Sequence, residues 1–469
     1  MNNIPQNEPD RQNYYRNELS GFIQKQEQLL NRKLTCHIAT FGCQMNARDS
    51  EKLLGILKAA GFQETEEETA ADLVVMNTCT VRDNANKRIY GRLGVLKSFR
   101  KSNQHMRIAM CGCMMQEPSV IEKIKKSYPY VDLIFGTHNI YKLAELLFTM
   151  YSEDRQVIEI LKQADRIVED LPVERKYPFK SGVNIMFGCD NFCSYCIVPY
   201  VRGRERSRKS EEILCEIRKL ADSGVREIML LGQNVNSYGK GLDEKIDFAG
   251  LLKETAKIDG IERIRFMTSH PKDLSDDLIT VMEENEKVCL HLHLPLQSGS
   301  SRILKLMNRK YDKEQYLALT EKIRSRMPSI AITTDIIVGF PTETKEDVDE
   351  TLDVIRKVRF DNAFTFIYSK RTGTPAANME QVDEAFVKEQ FDRVLQLVQE
   401  TSKEMTGRFV GETVKVLAEE VNEQDPSLLT GRMEQNFVVH FPGDPSMIGQ
   451  ILSVKLLSCK GFYYIGEPV

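Results

Sequence analysis

The stretch "FGCDNFCSYCIVPYVRGRERSR", residues 187–208, decides how the chain is read. Cys189, Cys193 and Cys196 stand in C-x3-C-x2-C spacing directly after the apolar run "VNIMFG", and no further cysteine or histidine follows closely. Three thiolates on one loop can bind three irons of a cubane cluster and leave the fourth iron open to a small chelating molecule. Tetrahedral zinc would need a fourth ligand, and none stands nearby. A thioredoxin-like C-x-x-C accounts for Cys193 and Cys196 but ignores Cys189. On spacing alone these alternatives stay open.

Downstream the pattern repeats. After "VNIMFG" come five more strand-like runs, "REIMLLGQNV", "RIRFMTS", "CLHLHLPLQ", "ITTDIIVGF" and "AFTFIYS". Helical segments such as "SEEILCEIRKLADSG" separate them. Six βα units over residues 179–402 are too few for a closed eight-fold barrel and predict an open, partial (β/α)6 barrel with its working face at the strand carboxyl ends. The glycine and polar signals fall at those ends, in "GCDNFCSYC", "GQNVNSYG", "TSHP", "QSGSS" and "GFPTET".

Upstream, residues 34–150 also alternate. "CHIATFG", "DLVVMNT", "RIAMCG" and "VDLIFG" read as strands, each followed by a helical pattern, the second helix starting near "VRDNANKRI". This predicts a parallel sheet covered by helices. Cys43, Cys79 and Cys113 each follow one of the first three strands. Ligands bind beyond the carboxyl ends of such sheets, so three strand ends deliver three thiols to one edge. Cys111, two residues before Cys113, lies deeper on the same face. Cys36, Cys215, Cys289 and Cys459 sit in apolar or helical runs and read as structural. Residues 1–33 read as a polar extension with one helix, and 151–178 as a charged connector. In 403–469, four runs alternating apolar and polar predict a small all-β barrel.

Composition bounds the class. The 469 residues suit about three domains. No apolar run approaches the roughly 20 residues of a membrane span, and the N-terminus shows no secretory pattern. A cytoplasmic, reducing setting is expected, where the eleven cysteines serve as metal ligands or buried thiols rather than disulfides. The net charge of −4 leaves nucleic-acid binding to local charge. "KRIYGRLGVLKSFRKSNQHMR", residues 87–107, carries seven basic residues and no acidic one; "VRGRERSRK" carries five against one glutamate. Arg88, Arg92, Arg202, Arg204, Arg206 and Arg208 are therefore candidates for phosphate contacts.

The C-x3-C-x2-C loop opening a βα barrel resembles the radical S-adenosylmethionine enzymes. Together with the three strand-end cysteines and the C-terminal segment, it is similar to the methylthiotransferase family from about residue 34 onward. "TFGCQMN", "NTCTVR", "PYVRGRERSR", "LLGQNVNSYG" and "LHLPLQSGS" resemble the MiaB-type tRNA enzymes within it. The resemblance implies two 4Fe-4S clusters, an auxiliary one on Cys43, Cys79 and Cys113 and the radical one on Cys189, Cys193 and Cys196. It implies S-adenosylmethionine as cosubstrate, used once to methylate sulfur and once to generate a radical. It implies transfer of a methylthio group to carbon 2 of an isopentenyl-adenosine beside the anticodon, hence the tRNA anticodon stem-loop as partner, with an electron donor such as flavodoxin or ferredoxin. Residues 403–469 look like the family's RNA-binding TRAM domain, although six Lys/Arg against nine Asp/Glu there give no independent support. Many radical enzymes carry a G-G-E-like triplet after the second strand to hold the amino group of S-adenosylmethionine; "LGQNV" has no carboxylate. Gly232, Gln233, Asn234, Gln297, Ser298 and Gly339 are the candidate contacts, against ordinary turn chemistry. Competing functions are methylthiolation of threonylcarbamoyl-adenosine or of a ribosomal-protein aspartate, a non-catalytic iron–sulfur electron carrier, and a zinc-stabilised RNA-binding module. The ribosomal-protein enzymes typically read "GCPKN" where this chain has "GCQMN".

Overall fold

The computed structural model describes residues 4–80, 83–163, 167–169 and 171–469. They form two compact units, one of residues 1–176 with 197–204, the other of 177–196 with 205–469.

The first unit is a six-stranded parallel sheet of β1 (Thr35–Thr40), β2 (Gln63–Glu64), β3 (Leu73–Thr78), β4 (Arg107–Gly112), β5 (Leu133–Phe135) and β6 (Val157–Glu159), in the order β2-β1-β3-β4-β5-β6. A parallel sheet must be covered on both faces, so its central strand is apolar from Leu73 to Met76, before the polar Asn77 and Thr78 that lead to Cys79. Strand β3 is buried along its length. Its Leu73 and Val75 join one core, with Leu19 and Ile23 of α1 (Asp10–Leu30), Leu53 and Leu57 of α2 (Gln44–Ala60) and Leu147 of α5 (Leu143–Glu153). Its Val74 and Met76 join the other, with Ile89 and Leu93 of α3 (Asp83–Ser102) and Ile124 of α4 (Pro118–Ser127). Val81 and Arg82, near the expected start of α3, lie outside the described residues. Two expectations change. The N-terminal helix is part of the core, and its Arg11 is bonded to Glu145 at 2.6 Å. The connector 151–178 supplies β6, whose Val157 is buried against the sheet.

In the second unit β7 (Lys180–Asn184) pairs in parallel with β10 (Glu227–Leu231) and β10 with β11 (Arg263–Phe266), while β12 (His291–His293), β13 (Ala331–Val338) and β14 (Asn362–Ile367) form a second parallel trio. A bridge between Ile264 and Val288 joins the trios into one open six-stranded wall. A short antiparallel pair, β8 (Met186–Phe187) with β9 (Arg206–Ser207), lies beyond β7. The helices between strands bury Ile213, Leu252, Leu278, Ile323, Leu352 and Val394 in one common core. Their starts are fixed by the sequence: Asp247, Ser275, Ser300, Asp312, Thr344 and Asp383 each accept a backbone N–H at a helix N-terminus.

The chain ends in a closed barrel of five strands, β15 (Thr413–Val421), β16 (Leu428–Met433), β17 (Val438–Pro442), β18 (Ile451–Cys459) and β19 (Tyr463–Pro468), ordered β15-β16-β17-β19-β18. The run "LLTGRMEQNFVVHF" is a hairpin rather than one strand, which closes the barrel with five. Arg263 donates to the carbonyls of Arg432 and Lys415, and Arg265 to those of Glu434 and Met433, all at 2.8 Å. Glu227, the first residue of β10, stands 2.9 Å from Arg265 and 3.9 Å from Arg263. Burial alone would push the Glu227 carboxyl up, but the two guanidinium groups outweigh it and hold it below its ordinary value.

Candidate active site

In the first unit, β1, β3 and β4 end in Phe41-Gly42-Cys43, Cys79 and Gly112-Cys113. The loops are packed too closely for side chains at the two glycines. A Cβ on Gly42, at φ +123°, would stand 2.5 Å from Cys79 Cβ; one on Gly112, at φ +98°, would stand 2.2 Å from the Thr78 carbonyl. Glycine is the residue that allows both the approach and the backbone angle. Asn46 in the first turn of α2 ties these loops together. Its Nδ2 donates to the carbonyls of Phe41 and Thr78, both at 2.9 Å, and Asn77 Nδ2 donates back to the Asn46 carbonyl at 2.8 Å.

Three thiols are thereby gathered, with Cys43 exposed and Cys79 and Cys113 buried. Burial pushes the Cys113 thiol up to about 12; Arg202 pulls the other way, and Cys43 and Cys79 push it further up. Arg202, 6% exposed, donates from Nε to Cys113 Sγ at 3.2 Å, and from Nη2 to Asn46 Oδ1 at 2.9 Å and Asp49 Oδ2 at 3.1 Å. Its charge survives burial because Cys113, Asp49 and Cys43 raise its pKa more than burial lowers it. Among the described residues no group of three or more His, Cys, Asp or Glu could hold a single metal ion. One tetrahedral ion draws thiolates to about 3.8 Å of one another; a cubane takes each thiolate on a different iron and needs them further apart. Thiols that repel one another when ionised, with a cation already donating to one sulfur, fit such a cationic group. Cys111 lies within β4 and its side chain joins the sheet core rather than the loop. Cys36 and Cys289 are buried as expected of structural cysteines, whereas Cys215 is exposed on its helix.

In the second unit, the loop from Gly188 to Cys196 is clamped by the segment after the helix Ser301–Leu306. Ser194 donates from N to the Met307 carbonyl at 3.0 Å and from Oγ to that of Leu306 at 2.8 Å. Asn308 Nδ2 donates to the carbonyls of Asn191 and Phe192. Phe192 takes a left-handed φ of +45°, which turns the chain between Cys189 and Cys193. Arg309, buried, donates from Nη1 to Cys193 Sγ at 3.5 Å and from Nη2 to the Pro295 carbonyl at 2.9 Å. Burial pushes the Cys189 thiol up to about 11. Each cysteine set thus holds one buried guanidinium against one sulfur.

The six candidate cosubstrate contacts stand on carboxyl ends of the barrel strands, Gly232, Gln233 and Asn234 after β10, Gln297 and Ser298 after β12, and Gly339 after β13. Asn234 Nδ2 donates to Asp273 at 2.8 Å, which fixes the amide, and among the described residues its buried Oδ1 accepts no hydrogen bond. An acceptor held in this way suits an ammonium group. Gln297 is joined to β13 through its backbone, Ser298 Oγ accepts the Ser300 N–H, and the Gly339 N–H donates to Glu343.

The arginine candidates divide by burial. Arg202 is committed to Cys113. Arg208, 4% exposed, donates to the Asn184 carbonyl and Glu216, each at 2.7 Å. Both are structural rather than available to phosphate, because a buried guanidinium would have to give up these bonds. Arg92 pairs with Glu68, and along the same strip Arg100 pairs with Asp132 and Arg107 with Asp154. Arg88 and Arg204 are exposed and Arg206 is half-buried. The sequence assigns Arg202 to phosphate rather than to the cysteine set, and it assigns Arg309 and Asn46 to nothing; "TFGCQMN" holds Asn46, but nothing local marks its role.

Models of three families match the chain: the radical SAM superfamily over residues 183–355, Uncharacterized protein family UPF0004 over 35–136, and the TRAM domain over 407–469. Among solved structures, that of the radical S-adenosylmethionine methyltransferase TsrM from Kitasatospora setae, with cobalamin and a 4Fe-4S cluster bound, is similar in fold. Its TM-score is 0.53 at 14% identity, covering 73% of this chain and 74% of that one. The partial barrel with its three-cysteine loop defines a radical SAM enzyme. Two curated relatives, both called tRNA-2-methylthio-N(6)-dimethylallyladenosine synthase, narrow the class. That of Lachnoclostridium phytofermentans is 60% identical over 95% of this chain and 98% of its own length; that of Acetivibrio thermocellus is 54% identical over 93% and 91%. The chain belongs to the tRNA-2-methylthio-N(6)-dimethylallyladenosine synthase family. It is an enzyme, a radical SAM tRNA methylthiotransferase, and S-adenosylmethionine, an iron–sulfur cluster and a tRNA substrate come with that membership. Among the described residues no helix is long and apolar enough to cross a membrane.

Proposed function

We propose that the chain places a methylthio group on carbon 2 of an isopentenyl-adenosine beside the anticodon, using two 4Fe-4S clusters. Cys189, Cys193 and Cys196 hold the radical cluster, and Cys43, Cys79 and Cys113 the auxiliary one. When bound, the first supplies the electron that cleaves S-adenosylmethionine, and the second supplies the site that carries sulfur. The observation behind this reading is the second set of three thiols on three strand ends, with Arg202 donating to one of them.

This chain's own residues hold the reactants. Ser194 and Asn308 fix the radical loop, and Arg309 offsets thiolate charge at Cys193. Asn234 Oδ1 accepts from the amino group of S-adenosylmethionine, the task a carboxylate performs in many relatives of the superfamily. Gly232 and Gln233 beside it after β10, with Gln297, Ser298 and Gly339 at the carboxyl ends of β12 and β13, complete the cosubstrate contacts. Arg88, Arg204 and Arg206, with the C-terminal barrel, take the anticodon stem-loop. A flavodoxin or ferredoxin supplies electrons, and the reaction takes place in the cytoplasm.

Iron content tests the reading. Anaerobically reconstituted protein should hold about eight irons per chain, and a C189A/C193A/C196A variant about half of that with no S-adenosylmethionine cleavage. Cys79→Ser should keep cleavage but yield no methylthio-adenosine by mass spectrometry of digested tRNA. Full iron in the triple variant, or undiminished product from a folded Cys79→Ser protein that lacks the second cluster, overturns the assignment.

A further inference from the structure

We propose that Arg202 is a positioning residue of the Cys43–Cys79–Cys113 site, holding the Cys113 sulfur in place and raising the reduction potential of the iron–sulfur group bound there. This rests on the cluster reading above. Arg202 arrives on the short helix α6 (Val198–Arg202), within the segment 197–204 that packs in the first unit. Ile197 and Val201 of this segment bury Cys113, which is 3% exposed.

The guanidinium is held from three directions. Nε points at Cys113 Sγ, while Nη2 is fixed between Asn46 Oδ1 and Asp49 Oδ2. Asn46 in turn is bonded to both the Phe41 and Thr78 carbonyls, so the direction of the N–H toward sulfur is set by the loops that carry Cys43 and Cys79. Lysine could supply the charge but not this fork. Hydrogen bonds to cluster sulfurs and nearby positive charge favour the reduced, more negative state, and both act more strongly where water is excluded. Outer groups of this kind orient the ligand as well as tune the metal.

The test uses the full chain with C189A/C193A/C196A, so that only the first unit's cluster contributes, and reads iron content, the electron paramagnetic resonance of the reduced state and the midpoint potential. Arg202→Gln should keep about four irons but reduce less readily, with the reduced-to-oxidised ratio at fixed potential down at least tenfold, or ~59 mV for one electron. Arg202→Lys should recover part of the shift. Asp49→Asn, which removes the carboxylate beside the guanidinium, should move the potential upward. An unmoved potential and spectrum in Arg202→Gln, or an unmoved or lowered potential in Asp49→Asn, overturns the proposal; the Asp49 variant decides if Arg202→Gln does not fold. A parent variant without any iron instead overturns the cluster reading itself.

Discussion

Arg265→Met is expected to cost the second unit much of its stability. The arginine makes three bonds at 2.8–2.9 Å, two to carbonyls of the C-terminal barrel and one to Glu227. Its removal leaves Glu227, 5% exposed, with Arg263 3.9 Å away and Lys180 on the adjacent strand acting more weakly. Breaking one side of a buried ion pair costs about 3–5 kcal/mol. At about 2–4 °C per kcal/mol for a body of this size, the melting temperature should fall by roughly 6–20 °C. Glu227→Gln combined with Arg265→Met should cost less than Arg265→Met alone, since no charge is then stranded. The pH dependence has a definite sign. Glu227 is held below its ordinary value of 4.5 in the fold, so its contribution is present above pH 4.5 and lost as pH falls through the lower, folded value. Without Arg265 burial pushes the carboxyl upward, and protonation relieves the variant. The gap between the two proteins should narrow in acid. Thermal melts followed by near-ultraviolet circular dichroism between pH 4 and 8 measure it. A variant melting within about 2 °C of the parent at neutral pH would refute the reasoning. Deleting residues from 405 onward removes the acceptors of all four arginine bonds to the barrel, so truncation disturbs the (β/α)6 wall as well as any RNA contact.

Asn234→Ala should weaken S-adenosylmethionine binding about tenfold, the loss of one hydrogen bond to a charged group, with iron content unchanged; equilibrium dialysis of reconstituted protein checks this. Arg204→Glu should weaken tRNA binding and reduce the salt slope by about one phosphate contact, whereas Arg208→Ala should lower the melting temperature instead, because Arg208 is spent on Asn184 and Glu216. Filter binding at several salt concentrations, beside melting curves, separates the two effects.

The placement of Cys43, Cys79 and Cys113 after strands, and of the Cys189–Cys196 loop after β7 and β8, was legible because period and punctuation show where strands end. The six βα units were legible for the same reason. The arginines of "VRGRERSRK" read alike in the sequence, since charge density is visible along a chain and burial is not. The fold separates Arg202 and Arg208 from Arg204 by turning a five-residue helix into the first unit. Arg309, more than a hundred residues after Cys193, had no local mark at all. Arg263 and Arg265 left a trace in "RIRF": two arginines at i and i+2 of an apolar strand share one face. Only the barrel's carbonyls explain why that face is charged.

The segment 197–204 also sets an order of events during synthesis. Cys113 and Arg202 are 89 residues apart. A ribosome adding roughly 5–20 residues per second needs about 4–18 s to cover that distance. For that interval Cys43, Cys79 and Cys113 have all left the decoding centre, while the cover of Ile197 and Val201 and the guanidinium beneath it do not yet exist. Iron and sulfide delivered early meet an open cup; delivered late, they meet one closed by the same polypeptide that carries the radical loop.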